Sequence, residues 1–475
     1  MTASPNHSDL PVAVIGAGPV GLAAAAHLVT RGVPVRLYEA GESVATHVRD
    51  WGHVRLFSPW GYVTDTASAA ILRRHGWQEP PRDVLPTGGD LYAAYLQPLA
   101  ETPEISAVIE TRARVRAVSR QGIDKVASRN RAEHPFALAI ESPGGTRIDL
   151  ARAVIDASGT WASPNPLGAS GLPAAGEAEH AERIAYGIPD VLGQGRANYL
   201  GRRVLVIGGG HSAANALLDL ARLAETDTRS HLVWALRGTS FVRIFGSRND
   251  KLPARGKLGH DLKRLVESGR LDVVTGFHAE RVEARDGGLV VAGRDTTIGP
   301  VDRIIVATGL RPDLAMTREL RLDLDPWLEA PRVLGPMIDP NLHSCGTVPP
   351  HGYRQLAHPE PGYFAVGIKS YGRAPTFLMA TGYEQVRSVA AHLAGDEAAA
   401  NDVRLVLPET GVCTTDIAGL ELDEGRGCCG GPAPAASNAC CADDANAKAA
   451  GQTGCGCATG KRAEPAAAKA ACCAA

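Results

Sequence analysis

No apolar run in the 475-residue chain approaches the roughly 20 residues that a membrane-spanning helix needs. Nor is there a surplus of one charge. The formal net charge is −2, which removes the electrostatic footprint of a nucleic-acid binder or of a protein held on an anionic membrane. The N-terminus, MTASPNHSDLP, lacks the basic segment and cleavage site of a signal peptide, so a cytoplasmic protein is expected. Cysteine is scarce until the end. Only Cys345 and Cys413 precede residue 425, they stand 68 positions apart, and neither CxxC nor CxxxxC occurs before that point. A redox cysteine pair close in sequence is thereby excluded from the body of the chain, and these two read as small buried fillers. Residues 425–475 contain no Val, Ile, Leu, Met, Phe, Trp or Tyr. Such a segment cannot bury enough apolar surface to offset its ordering entropy, and disorder is expected there unless a metal organises it.

What is present is a repeated α/β pattern. The length exceeds what one hydrophobic core supports and suits about two or three domains. Residues 11–39 read as a βαβ unit: apolar PVAVIG, an Ala-rich helical stretch ended by Gly32, then VPVRLYE. Residues 86–100 suggest a helix with Asp90 as N-cap. Residues 105–118 and 135–140 alternate like antiparallel strands, and AVIDASG at 153–159 is a buried strand running into a turn. The pattern restarts with RRVLVIGGGHSAANALLDLARLAE at 202–225 and HLVWALRG at 231–238. A further buried strand ends in ATG near Gly309, and 362–395 reads as strand, loop and a last helix beginning near Pro375.

Two glycine turns carry the chemistry. GAGPVG at 16–21 fits GxGxxG between a strand and a helix. Gly16 permits the tight turn, Gly18 lets backbone approach a pyrophosphate, Pro19 opens the helix, and Gly21 allows close helix–strand packing. Glu39 ends the next strand, 18 residues after Gly21, where a carboxylate accepts from ribose hydroxyls. In the second unit, Gly208, Gly210, His211, Ser212 and Ala213 form GxGxxA, and the next strand is followed by Arg237 instead of an acid. A guanidinium pairs with a 2′-phosphate that a carboxylate would repel, which favours NADPH. Two dinucleotide sites on one chain suit a bound flavin and a diffusible hydride donor.

These turns, the ASG and ATG strand ends and their spacing resemble the two-dinucleotide-binding-domain flavoproteins, and within them the flavin-containing and Baeyer–Villiger-type monooxygenases, over roughly 10–395. GGGHSA matches that group's GxGxSA, and PTGGDLYAAYL at 86–96 looks like its helix before the central strands. Its linker motif is half present: Gly176 and His180 fit, while Ala174 and Ile184 replace aromatic residues. The Asp that glutathione-reductase-like relatives carry after the late strand is replaced by Gly367 and Ile368. The resemblance implies FAD at the first turn, with Val115, Ser158 and Gly159 joining that site, and NADPH at the second, with Thr308 and Gly309 on its side. It implies hydride transfer to flavin and oxygen transfer from O2 to a soft nitrogen, sulfur or arsenic centre of a small molecule. His53, Lys369 and Arg373 lie on segments that could face the flavin, and no catalytic residue is assigned.

The last 51 residues hold Cys428, Cys429, Cys440, Cys441, Cys455, Cys457, Cys472 and Cys473. Thiolates select soft ions such as Cu(I), Zn(II), Hg(II) or trivalent arsenic, and zinc-finger spacing is absent. Such tails resemble those on proteins of actinobacterial arsenic-resistance clusters. The expected organisation is an α/β fold with two Rossmann-like domains: FAD-binding parts at 1–185 and 300–400, an NADPH domain at 186–299, a linker at 401–424 and the thiol-rich tail at 425–475. Two alternatives stay open: an FAD-dependent reductase of metal, metalloid or disulfide, and a metalloid carrier with a regulatory nucleotide site.

Overall fold

The computed structural model describes residues 7–245, 253–342, 348–375, 377–402, 404–405, 448 and 450. Apart from 448 and 450, the thiol-rich tail, including Cys428, Cys429, Cys440, Cys441, Cys455, Cys457, Cys472 and Cys473, lies outside the described residues, as do Cys345 and Cys413. No helix among the described residues is long and apolar enough to cross a membrane.

The first half is a parallel sheet. Strands β1 (Val12–Ile15) and β2 (Val35–Tyr38) flank helix α1 (Pro19–Thr30), and β3 (Ile109–Glu110) extends the edge. A three-stranded antiparallel sheet follows, β4 (Arg114–Arg120), β5 (Phe136–Ser142) and β6 (Gly145–Ala151), before the chain re-enters the parallel sheet as β7 (Ala153–Asp156). All four residues of β1 and of β7 are buried, as strands covered by helices on both faces must be. Helix α1 buries every residue from Gly21 to Leu28, and its alanines allow close approach to the sheet. It ends as the sequence implies. Gly32 adopts φ +69°, its N–H donates to the Val29 carbonyl and that of Val33 to the Leu28 carbonyl, a Schellman cap.

The second half repeats this plan. After β8 (Ile184–Tyr186) come β9 (Arg203–Ile207), helix α2 (His211–Ala224), β10 (His231–Ala235), helix α3 (Pro253–Glu267) and β11 (Asp272–Val274). Another antiparallel meander, β12 (Ala279–Arg285), β13 (Gly288–Gly293) and β14 (Thr297–Val301), leads back to β15 (Arg303–Val306). Strand β16 (Tyr363–Ala365) and helix α4 (Met379–Leu393) close the first half. The parallel sheets have orders β16-β7-β1-β2-β3 and β11-β10-β9-β15-β8.

Three expectations need correction. Residues 303–306 were assigned to the returning part of the FAD domain, yet β15 pairs in parallel with β9 and β8 in the second sheet. The second unit therefore runs from Ile184 to Val306, because each meander interrupts its own parallel sheet rather than separating two domains. Asp90 is not the N-cap of its helix. Thr87 is, and Asp90 is its capping-box partner: Thr87 Oγ1 accepts from the Asp90 N–H at 3.0 Å and Asp90 Oδ2 from the Thr87 N–H at 2.9 Å. Helix α4 begins at Met379 rather than near Pro375, because the chain is still extended at its N-cap, Leu378 (φ −108°, ψ 139°).

A buried ion cluster ties the first antiparallel sheet to β16. Glu360 accepts from Arg120 Nε at 2.8 Å and from Arg131 Nη2 at 2.9 Å, and the Arg120 and Glu360 side chains are 1% and 0% exposed. Burial alone would raise the Glu360 pKa, but the two guanidinium bonds hold it below the usual carboxylate range. Removing one member of such a cluster strands the others. Glu360→Ala is expected to lower unfolding free energy by about 3–5 kcal/mol, read by chemical denaturation of the holoprotein. A loss below about 1 kcal/mol would show that the arginines find solvent or other partners.

Candidate active site

Strand register brings the candidate residues into line. In the first sheet Ile15 pairs with Tyr38 and with Asp156, and Asp156 with Ala365. The residues that follow these strand ends, Gly16, Glu39, Ala157–Ser158 and Val366–Gly367, therefore line one crevice at the carboxyl ends, where open α/β sheets bind ligands. In the second sheet Ile207 pairs with Ala235 and Val306, which aligns Gly208, Arg237 and Thr308 in the same way.

Each glycine of the first turn has a distinct role. A Cβ on Gly16, at φ +93°, would lie 2.8 Å from the Ala157 carbonyl oxygen, and one on Gly21 would lie 1.8 Å from the Gly16 oxygen. These two glycines exist for packing. Gly18 differs: its φ of −76° suits any residue, and a Cβ there meets nothing within 4 Å. It faces the space above the first turn of α1, which has Pro19 at its start and no acidic residue. The second turn has the same division. A Cβ on Gly208 would lie 2.2 Å from the Ala307 oxygen, whereas Gly209 and Gly210 face open space, and Ala213 is fully buried against the sheet. Both turns thus keep a Cβ-free cradle of backbone N–H groups at a helix N-terminus, which fits a pyrophosphate. The residues present fit FAD at the first turn and a nicotinamide dinucleotide at the second.

Glu39 is buried, and its carboxylate accepts from the Ala17 N–H and the Gly41 N–H, both at 2.8 Å. It stiffens the glycine turn as well as standing at the ribose end of the crevice. Val115 lies in β4, buried with Ile15 and Tyr38. Ser158 and Gly159 pack directly beyond β7, and the Ser158 Cα is 3.0 Å from the point a Gly16 Cβ would take. Arg237 is exposed at the carboxyl end of β10 and donates to the Ala169 carbonyl at 2.9 Å. Thr308 and Gly309 clasp the crossing linker: the Thr308 hydroxyl donates to the Asn165 carbonyl at 3.1 Å and the Asn165 amide to the Thr308 carbonyl at 3.1 Å. Gly176 proves to be a packing residue, since a Cβ at its φ of +83° would lie 2.1 Å from the Val282 oxygen. His180 is half-buried and gives no side-chain cap to the short helix after it.

Sequence reasoning missed a buried polar core beneath the crevice. The Lys369 ammonium donates to Asp156 Oδ2 at 2.7 Å and to the Ser158 hydroxyl at 2.9 Å, with side chains 2% and 0% exposed for the lysine and aspartate. Tyr363 donates to the same Asp156 oxygen at 2.9 Å, and burial beside that carboxylate pushes its pKa well above the ordinary tyrosine value. Gln385 of α4 accepts from the Gly367 N–H at 2.8 Å and donates to His351 Nε2 and the Ser370 hydroxyl, both at 2.9 Å. His351 Nδ1 donates to the Pro349 carbonyl at 3.1 Å, and burial holds its pKa below the usual imidazole value. The signal available for this core was a lone Asp closing the apolar run AVID. Of the other residues placed near the flavin, Arg373 instead pairs with Glu329 at 2.8 Å, and His53 keeps Nε2 buried with no partner among the described residues.

A cavity of about 330 Å³ opens between residues 54–58, the first turn of α2, Arg255 of α3 and residues 371–381. Its walls include Leu56, Phe57, Val63, Ile188, Tyr371 and Phe377, with His211, Ser212, Asn215, Arg55 and Arg255 among the polar groups. His211 packs edge-on against Phe57 with ring centroids 5.5 Å apart, joining the second unit to the first. Helix α4, whose first turn lines the cavity, packs closely on α1: a Cβ on Gly382 would meet Val20 at 2.7 Å. Among the described residues no group of three His, Cys, Asp or Glu is placed to hold a metal ion.

Residues 10–329, more than half of the chain, match the family model for pyridine nucleotide-disulphide oxidoreductases. The chain belongs to that family. That family uses FAD and NAD(P)H, which the two cradles fit. The chain is 29% identical over 192 residues to a ferredoxin--NADP reductase of Cupriavidus taiwanensis, covering 39% of this chain and 46% of that protein. It is 28% identical over 168 residues to a thioredoxin reductase of Coxiella burnetii, covering 33% and 48%. The chain therefore spans about half the length of the curated relatives it matches. In fold it is similar to the bacillithiol disulfide reductase Bdr of Bacillus cereus (TM-score 0.60, 19% identity, 81% of this chain and 99% of that one). It is also similar to a flavin-containing monooxygenase of Stenotrophomonas maltophilia (0.53, 20%, 81% and 98%) and to the cadaverine monooxygenase DfoA of Erwinia amylovora (0.58, 12%, 84% and 98%).

The two kinds of glycine separate cleanly in a test. Gly18→Val should fold normally yet lose FAD, with the visible absorbance of the purified protein falling at least tenfold, because its side chain enters the pyrophosphate space. Gly21→Val should fail to fold, since its side chain overlaps the Gly16 carbonyl. Full FAD occupancy in folded Gly18→Val would overturn the assignment of the first turn.

Proposed function

We propose that this chain is an NADPH-dependent FAD monooxygenase that oxygenates a soft heteroatom (nitrogen, sulfur or arsenic) of a small molecule, with O2 as co-substrate. The observation that carries this reading is the lack of a close cysteine pair in the body of the chain: no CxxC or CxxxxC precedes the tail, and Cys345 and Cys413 stand 68 positions apart. Disulfide reduction needs a thiol partner for the flavin, whereas oxygen transfer needs a closed space beside it. FAD, when bound, supplies hydride acceptance from NADPH and activation of O2. The chain's own part is to hold both dinucleotides at the two cradles, to keep the Ser158 turn rigid through Lys369 and Asp156, and to shield the reacting space with Leu56, Phe57 and Phe377. Arg237, exposed just beyond β10, supports the choice of NADPH, since a guanidinium pairs with a 2′-phosphate. The thiol-rich tail supports arsenic, or another thiophilic ion, as the element handled, and a role in arsenic resistance.

A second reading is a flavin reductase that passes electrons from NADPH to a metal, metalloid or disulfide. The reductases among the sequence relatives favour it. The two part in a single experiment: anaerobic reduction by NADPH, then admission of air with and without a sulfide or arsenite. Rapid reoxidation with one oxygen atom found in the product is the expected result. Stoichiometric NADPH consumption without O2 when a metalloid is present would establish the reductase instead. In the same reduction, Arg237→Ala should weaken NADPH about tenfold or more and leave NADH unchanged, as loss of one charge-assisted pair requires.

The tail can be tested separately. Truncation after Glu424 removes no Val, Ile, Leu, Met, Phe, Trp or Tyr, so FAD content should be unchanged and the melting temperature should stay within a few degrees of the full chain. Arsenite bound per chain, counted by equilibrium dialysis, should fall to near zero. Equal arsenite counts for the two proteins would remove the tail from the reading.

A further inference from the structure

The cavity has two unlike walls. His211, Ser212, Asn215 and Arg255 come from α2 and α3 and belong with the second cradle. The other wall, built from residues 54–58, Val63 and residues 371–381, is mostly apolar. Of its polar members, Arg55 is exposed and donates to the Leu85 carbonyl at 2.8 Å, and Ser58 is half-buried. The remaining two are fully enclosed: Tyr371 and Thr381 are 3% and 2% exposed. Tyr371 ends a single helical turn, Gly367–Tyr371, and its ring is clamped edge-on by Phe377 at 5.0 Å between centroids and packed against His351 at 5.8 Å. Both His351 nitrogens are already used, by the Pro349 carbonyl and the Gln385 amide, so His351 contributes packing and no hydrogen bond to the phenol. Burial pushes the Tyr371 pKa well above the ordinary tyrosine value, a rise opposed by its hydrogen bond with the Thr381 hydroxyl, so the phenol keeps its proton. Among the described residues neither hydroxyl has a further hydrogen-bond partner. Two hydroxyls bonded to each other leave one O–H without an acceptor, whichever of them donates. A buried donor left so is costly, and a ligand that accepts from it removes the cost.

We infer that Tyr371 and Thr381 anchor the substrate: a small compound whose apolar body lies against Leu56, Phe57 and Phe377 and whose acceptor oxygen takes the spare O–H of the pair. Such an arrangement, a mostly apolar wall with a few convergent polar groups, fixes the orientation of a ligand as well as its affinity. The class is that of neutral compounds carrying a carbonyl, hydroxyl or sulfoxide oxygen on an apolar frame. The inference rests on the reading above for calling the occupant a substrate. The binding preference itself needs no turnover and stands apart from the chemistry that follows.

The test uses two probes that differ by one oxygen, methyl phenyl sulfoxide and methyl phenyl sulfide. Each is titrated by calorimetry into the oxidised holoenzyme with saturating NADP+ present, so that the second cradle is filled. The double variant Tyr371→Phe/Thr381→Val removes both hydroxyls and keeps both shapes. It should weaken the sulfoxide roughly three- to tenfold, the loss of one hydrogen bond, and change the sulfide less than twofold. Each single variant should lose less, since the hydroxyl that remains still offers a proton, and the singles keep the test alive if the double variant does not fold. Equal changes for sulfoxide and sulfide, or no saturable binding of the sulfoxide to the unsubstituted protein, would overturn the inference. So would a fall in FAD content in folded Tyr371→Phe, since the phenol would then serve the flavin and not a substrate. Binding of the sulfide without its oxygenation under NADPH and air would sink the monooxygenase reading and leave the hydroxyl anchor standing.

Discussion

The structure depends on one close approach, made twice. At Gly16 and again at Gly208 the chain leaves a central strand so near the carbonyl of the neighbouring strand that no Cβ fits, at 2.8 Å from Ala157 and 2.2 Å from Ala307. Those contacts hold the strand ends level. Level strand ends set the helix N-termini over the crevice, and the N-termini create the cradles in which Gly18, Gly209 and Gly210 face open space. A substitution at the packing glycines and one at the cradle glycines therefore damage different properties, the first the fold and the second the ligand.

Beneath the first cradle, Asp156, Lys369, Ser158 and Tyr363 form a closed polar core. Burying an ion pair contributes little net stability by comparison with well-packed apolar residues, so its value lies in geometry. Lys369 sits two residues after Gly367, and Gln385 grips the Gly367 N–H from α4. Together they join three separate stretches of chain, the ends of β7 and β16 and the first turns of α4, into one rigid wall.

The two units share a topology in which a meander interrupts a parallel sheet, yet they differ where specificity is decided. Glu39 closes the second strand of the first unit and is committed to the turn itself, bonded to Ala17 and Gly41. Arg237 stands beyond the second strand of the other unit, exposed and tethered only to the linker carbonyl of Ala169 among its described bonds.

The glycine spacing, the apolar strands and the change from Glu39 to Arg237 were legible in the residues alone. Each rests on local rules: hard-sphere limits on φ and ψ, the period of buried strands, and the sign of a charge at a strand end. The Gly32 cap was legible for the same reason. The return of β15 to the second sheet, the pairing of Lys369 with Asp156 across 213 positions and the Arg120–Glu360–Arg131 cluster were not. They join residues far apart in sequence whose types are common everywhere, and only the register of parallel strands brings them within hydrogen-bond reach. The sequence by itself determined that two glycine turns of the cradle type exist and which sign of charge follows the second strand of each unit. Tertiary structure decided which buried groups brace those cradles and that Tyr371 and Thr381 meet in the wall of one cavity. A polar group acts on whatever folding places beside it, and that neighbour is not written next to it in the chain.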